Sequence, residues 1–132
     1  MIAYVCVGAD DMATAERFWS ALLCPLGYRL QRYGGDLSFV SEAGGPDLYV
    51  KRPFDGAPAA PGNGTMVAFE ARGQAQVRAL HAAAVGAGGT DAGAPGFRDA
   101  YGPRFYVGYL RDPQGNKVAL FSSNADEPRR DG

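Results

Sequence analysis

The chain has 132 residues, 46% of them apolar and 20% charged, with a formal net charge of −1. That is the length and balance of one small globular domain, long enough to bury a core of its own. Near-neutral charge without a basic stripe excludes nucleic acid as the expected partner, and no apolar run approaches the ~20 residues that cross a bilayer.

Residues 2–7 form a short β-type run. Asp10 and Asp11 are placed to cap the helix that follows. Met12, Ala15, Phe18, Trp19, Leu22 and Leu23 fall on one stripe at helical period, predicting a helix over 12–24 that Pro25 and Gly27 stop. Residues 28–33, 37–41 and 48–51 read as three strands, separated by turns at Gly34-Gly35 and Gly44-Gly45-Pro46. "PFDGAPAAPGNG" at 53–64 holds neither helix nor strand well and is a linker.

The pattern then restarts. Residues 65–71 are a strand. Residues 74–87 are a helix with Val77, Leu80, Ala84 and Ala87 on one stripe, ended by Gly88-Gly89. A short extended piece is expected between Thr90 and Arg98, followed by strands at 105–111 and 117–122. The last two are joined by the turn Asp112-Pro113-Gln114-Gly115-Asn116, in which Pro presets φ and Gly and Asn tolerate φ > 0. The polar end "NADEPRRDG", residues 124–132, has no periodicity and is expected to be a frayed, flexible tail.

The element order β-α-β-β-β is thus written twice, and the halves overlay with a shift of about 62 residues: Val5 on Val67, Phe18 on Leu80, Gly27 on Gly89. Neither half alone buries both faces of its sheet. Two halves together are expected to share one curved mixed sheet with the helices outside, an α+β single domain over 1–123 made of module one (1–52), the linker (53–64) and module two (65–123).

In its motifs the chain resembles the vicinal oxygen chelate superfamily, the glyoxalase, bleomycin resistance and dihydroxybiphenyl (extradiol) dioxygenase fold. "AERFWSALLCPLGYRL" is similar to the first helix and following strand of small members. "GTMVAFEA", "ALHAAAVGAGGTDAGAPGFR" and "DAYGPRFYVGYLRDPQGNKVALF" are similar to the second module in order. The resemblance implies a concave cleft in which metal-binding members hold a divalent ion with a His on the first strand, a His on the first strand of module two and a Glu on the last strand. Those positions fall on Tyr4, Met66 and Ala119. An un-ionised phenol, a soft thioether and a methyl group do not serve as a hard-cation donor set. Cys6 and Glu70 share strand parity with Tyr4 and Met66 but lie roughly 7 to 14 Å along their strands at ~3.4 Å per residue. No metal or other cofactor is therefore expected.

The cleft is expected to be lined by Tyr4, Cys6, Met66, Ala68, Ala119 and Phe121, with Tyr101 and Arg104 from the Gly/Pro-rich stretch 93–104 at its border. An aromatic face, a thioether and a small gap suit a flat or apolar small molecule. Arg98 or Arg104 can present a fork to a ligand carboxylate or phosphate. Surface arginines and aromatic core packing are the plainer alternatives. His81, the only histidine, sits at the border of the second helical stripe and is expected to be structural or solvated. Cys6 is expected to be a buried, inert thiol, since no neighbour in sequence lowers its pKa. "GAGG" at 86–89 is a helix stop, with no strand before it and no Lys-Ser/Thr after it to make a phosphate loop.

The leading expectation is a metal-free, small-molecule-binding member of the superfamily. The alternatives are a glyoxalase-like lyase or isomerase, or a dioxygenase, with an unusual site, and a small interaction module with a vestigial cleft. Cys6 and Cys24 have neither metal-type nor disulfide-framework spacing, and the N-terminus lacks a basic run before an apolar stretch, so a cytoplasmic protein with reduced thiols and no signal peptide is expected. A homodimer is expected from the resemblance and from the sheet edges that short strands leave. Phe18 and Trp19, about 100° apart on their helix, should place one ring at the stripe's margin for a partner to bury. The linker is long enough for modules to pair between chains.

Overall fold

A computed structural model, describing residues 1–130, places eight strands and two helices in the repeated order. Module one contains β1 (Tyr4–Gly8), α1 (Met12–Leu23), β2 (Tyr28–Tyr33), β3 (Asp36–Ser41) and β4 (Asp47–Lys51). Module two contains β5 (Met66–Glu70), α2 (Gln74–Gly86), β6 (Thr90–Phe97), β7 (Tyr106–Arg111) and β8 (Lys117–Ser122). Hydrogen bonds divide the expected sheet into two four-stranded sheets, β1-β4-β3-β2 and β5-β8-β7-β6. Each is mixed: the first strand of a module pairs parallel with the last, and the rest are antiparallel. The repeat extends to single bonds. Ala9 N donates to Lys51 O at 3.0 Å, and Ala71 N, at the equivalent point of module two, donates to Phe121 O at 2.7 Å.

Local chemistry accounts for the elements. The Asp11 carboxylate accepts from Ala13 N at 3.0 Å and Thr14 N at 3.1 Å, satisfying two of the orphan donors that open α1. Cys24–Leu26 tightens into a 3-10 turn, and Gly27 takes the left-handed φ of +93° that releases the chain into β2. Gly34 and Gly35, both at positive φ, make the two-residue turn that sets Tyr33 opposite Asp36. The piece expected between 90 and 98 is a full strand, β6, with register shifts at Asp91/Gly93 and Gly93/Gly96. Residues 93–97 of the stretch read as a bordering loop over 93–104 therefore belong to a strand paired with β7. A 3-10 turn at Asp99–Tyr101 follows it.

The helices pack against one face of each sheet and against each other, closing one continuous core. Phe18 and Trp19 are both fully buried, so neither ring lies at a margin. The reason is that α1 is covered on two sides. Trp19 meets the Phe69 ring of β5 edge-on at 6.1 Å, while the Phe18 ring lies against Gly89. Burial on this scale stabilises by about 1.5–3 kcal/mol per large apolar side chain. Polar contacts lock the same junction: Trp19 Nε1 donates to Asp112 Oδ2 at 3.1 Å, Asn116 Nδ2 to Gly8 O at 3.0 Å, and Asp10 N to Gln114 Oε1 at 2.9 Å. The linker is held there too, with Ala59 N donating to Asp10 Oδ1 at 2.8 Å.

The C-terminal stretch is tied down through the described residues. Glu127 Oε1 accepts from Gln74 N at 2.9 Å, Gln74 Nε2 donates to Pro128 O at 3.0 Å, and Arg129 pairs with Asp99 at 2.6 Å while lying over the Phe97 ring. Residues 131–132 of the expected frayed tail lie outside the described residues.

Candidate functional site

The face of each sheet turned away from the helices is open, and strand parity decides what it carries. On module two, β5 contributes Met66, Ala68 and Glu70, β8 contributes Lys117, Ala119 and Phe121, and β7 contributes Val107 and Tyr109. The register sets Ala119 between Ala68 and Tyr109, and Phe121 beside Val107. The alternate residues of the same strands face α2. His81, at the centre of that buried side, is 8% exposed, with Nε2 3.0 Å from Tyr109 O and 3.2 Å from Asp91 Oδ1. It is a structural histidine that supports β7 from behind.

Tyr109 is the centre of the open face. The Lys117 ammonium lies 5.1 Å from its ring centroid and the Arg98 guanidinium 5.8 Å. These three, with Met66, Gly93 and Tyr101, line a depression of about 500 Å³, within the size range of small-ligand sites. Tyr101 is 73% exposed. Its ring meets Phe105 edge-on at 5.8 Å, and Phe105 stacks on Phe121 at 5.5 Å, so an aromatic chain borders the face.

Module one presents Tyr4 and Cys6 on β1, Tyr49 on β4 and Tyr33 on β2. Tyr4 stacks on Tyr49 at 4.7 Å. The Tyr49 phenol is pushed above its ordinary value by desolvation and, next, by the neighbouring Asp47 charge. On the helix side, burial and then Asp47 likewise raise Tyr28, which packs edge-on to Phe69.

The sequence-predicted residues divide between these two faces. Met66, Ala68, Ala119, Phe121 and Tyr101 gather on module two, and Tyr4 and Cys6 on module one. Met66 and Ala68 also reach an apolar seam between the modules, opposite Ile2, Val5 and Leu48. Three expectations need correction. Cys6 is exposed rather than buried, because β1 is an edge strand with nothing packed over its open face. Arg104 turns away from the face and donates to Glu127 O at 2.6 Å. Ala119 is on the open face but only 2% exposed, shielded by larger neighbours. Lys117 and the central place of Tyr109 were missed. The signal was present: Lys117 is two residues before Ala119 and so shares its face.

The superfamily's ion does not fit these residues. The three positions that the resemblance assigns to ligands, Tyr4, Met66 and Ala119, hold a phenol stacked on another phenol, an exposed thioether and a shielded methyl. Among the described residues, no three His, Cys, Asp or Glu side chains come together as an ion site.

Two βαβββ modules with open sheet faces opposite their helices define a protein of the vicinal oxygen chelate superfamily. Within it the chain belongs to the glyoxalase-like family: the family model described as a glyoxalase-like domain matches residues 4–121. A glyoxalase/bleomycin resistance protein from Albidiferax ferrireducens is 35% identical, with a TM-score of 0.83, covering 92% of this chain and 98% of that one. A glyoxalase-related enzyme from Fulvimarina pelagi (20% identity, 92% and 87% covered, TM-score 0.74) shares the fold. So does the fosfomycin resistance protein FosX from Mesorhizobium loti (12% identity, 95% and 93% covered, TM-score 0.69). No curated protein matches the sequence.

Proposed function

We propose that this chain is a glyoxalase/bleomycin resistance-like protein that has lost the usual metal ligands and binds a small organic molecule on its open sheet face, without a resident metal ion. The observation that carries this reading is the depression around Tyr109. It is a shallow, open depression bordered by the exposed Tyr101 ring and Met66 thioether, on a floor of paired strands. The donor chemistry at Tyr4, Met66 and Ala119 argues against the metal-dependent lyase or dioxygenase alternative.

The same reading includes a homodimer that covers the open faces with a second copy. Apart from Met1 and Phe54, the exposed large apolar residues are Ile2, Tyr4 and Tyr33 in module one and Met66 and Tyr101 in module two, at or beside these faces. β1 and β5 are each the edge of a sheet. Exposed apolar surface and free edges together favour a partner. A two-fold pairing of one copy's module-one face with the other's module-two face makes two equivalent clefts. Two free thiols support a cytoplasmic setting.

The test has two parts. Metal analysis of the dialysed protein is expected to find less than about 0.1 equivalent of zinc, iron, manganese or nickel, whereas a stoichiometric ion would favour the metal-dependent alternative. Thermal melting against a library of small planar compounds is expected to give ligands that raise Tm by several degrees at saturating concentration, since a ligand bound only by the native state stabilises it by mass action. A library with no hits would favour the interaction module.

A further inference from the structure

The depression around Tyr109 adjoins a second one, lined by the linker residues Gly62, Asn63 and Gly64 together with Arg111. Met66 and Lys117 belong to both. Three cationic side chains, Arg98, Lys117 and Arg111, therefore line one continuous stretch of surface, and neither depression is lined by a carboxylate. The acidic residues near these cations in sequence are engaged elsewhere: Asp91 Oδ1 accepts from Gly93 N at 2.9 Å and lies 3.2 Å from His81 Nε2, Asp99 pairs with Arg129 at 2.6 Å, and the buried Asp112 accepts from Trp19 Nε1 at 3.1 Å. Lys117 makes no ion pair among the described residues and rests only against the Tyr109 ring. Arg98 spends one bond from each terminal nitrogen on the carbonyls of Phe97 and Ala94, which fixes its guanidinium beside Tyr109. The other donors of its five-donor fork are left for a ligand.

Cations over a sheet floor that carries aromatic rings and a thioether recognise two features at once. The rings and Met66 offer apolar area to a flat body. The ammonium and guanidinium offer charge-assisted hydrogen bonds to a carboxylate at the edge of that body. A neutral flat ligand would leave the cations unanswered, and a cationic one would be repelled by all three.

We propose that the ligand of this face is a planar aromatic carboxylate, its ring against Tyr109, Tyr101 and Met66 and its carboxylate held by Lys117 and Arg98. This rests on the small-molecule reading above and narrows it to one chemical class. The test uses the full chain with 2-naphthoate and its neutral isostere 2-naphthamide, measured by titration calorimetry. Naphthoate is expected to bind about ten-fold or more tightly than naphthamide, with an affinity that falls as salt rises.

Lys117→Gln is expected to weaken naphthoate about ten-fold and leave naphthamide unchanged, and Lys117→Arg to restore most of the loss. Arg98→Gln repeats the test at the second cation. Equal affinity for the two compounds, or naphthoate binding indifferent to Lys117→Gln in a variant whose melting is that of the wild type, overturns the proposed class while leaving a small-molecule site standing. Binding of neither compound overturns the proposed class, and the library melting experiment then decides the broader reading independently.

Discussion

Asp112 opens the turn that precedes β8, and it does more than begin a turn. It is 3% exposed, and its carboxylate accepts from Trp19 Nε1 at 3.1 Å, Gln114 N at 3.0 Å, Asn116 N at 2.8 Å and Asn116 Nδ2 at 2.9 Å. One side chain thus closes its own turn and fastens it to α1 of the other module. Asp112→Ala is expected to cost about 3 kcal/mol, because it leaves the buried Trp19 Nε1–H and two part-buried backbone N–H groups, of Gln114 and Asn116, without their acceptor. Urea denaturation checks this, and a loss below about 1 kcal/mol would show that water replaces the carboxylate. Turn residues made the local half of this role legible. The Trp19 partner was not legible, since nothing in a one-dimensional pattern pairs residues so far apart. Cys6 shows the same limit: strand parity put it on the face of Tyr4, but only the missing neighbour of an edge strand made it exposed.

The two helices start differently although the modules repeat. Asp11 caps α1 from within the chain's own turn, whereas the equivalent residue before α2 is Gly73, which has no side chain to offer. Glu127, from the C-terminal stretch, accepts instead from the first N–H of α2, that of Gln74. Glu127→Ala is therefore expected to lower stability by about 1 kcal/mol, and Glu127→Gln by less, in line with the loss of an N-cap. Equal unfolding midpoints for the wild type and Glu127→Ala would show that this cap contributes nothing. The aligned glycines Gly27 and Gly89 also diverge. Gly27 is needed for its positive φ, Gly89 for space: a Cβ there would lie 2.6 Å from the Phe18 ring and 3.0 and 3.1 Å from the carbonyl oxygens of Ala84 and Arg111. Two of those three neighbours are backbone and cannot move aside. Gly89→Ala is expected to destabilise by about 2–3 kcal/mol through overpacking of the module junction. Gly86→Ala, where a Cβ meets nothing within 4 Å, should be neutral or stabilising by about 0.5–1 kcal/mol.

At the scale of the whole molecule, the core joins the modules through their helix faces and leaves both opposite faces open. The proposed dimer follows from those faces and edges rather than from Phe18 or Trp19, which the chain buries by itself. Sedimentation equilibrium at micromolar concentration is expected to give twice the chain mass, and a single species near 13.9 kDa would sink the dimer. Tyr4→Glu, which puts a charge on the open face of the edge strand β1, is expected to weaken self-association at least about ten-fold while leaving the fold intact.

The order and type of the elements were determined by the sequence alone. Strand β2 at Tyr28–Tyr33 and strand β8 at Lys117–Ser122 lie where periodicity and turn residues put them, as does the glycine turn between β2 and β3. These features depend on neighbours along the chain, and so did the absence of hard donors at Tyr4, Met66 and Ala119. The tertiary structure alone decided the full burial of Phe18 and Trp19, the capping of α2 by Glu127, the shielding of Ala119 and the convergence of Arg98 and Lys117 on Tyr109. Each of these depends on which surfaces meet after the modules dock, and docking brings together residues whose separation along the chain carries no periodic signal.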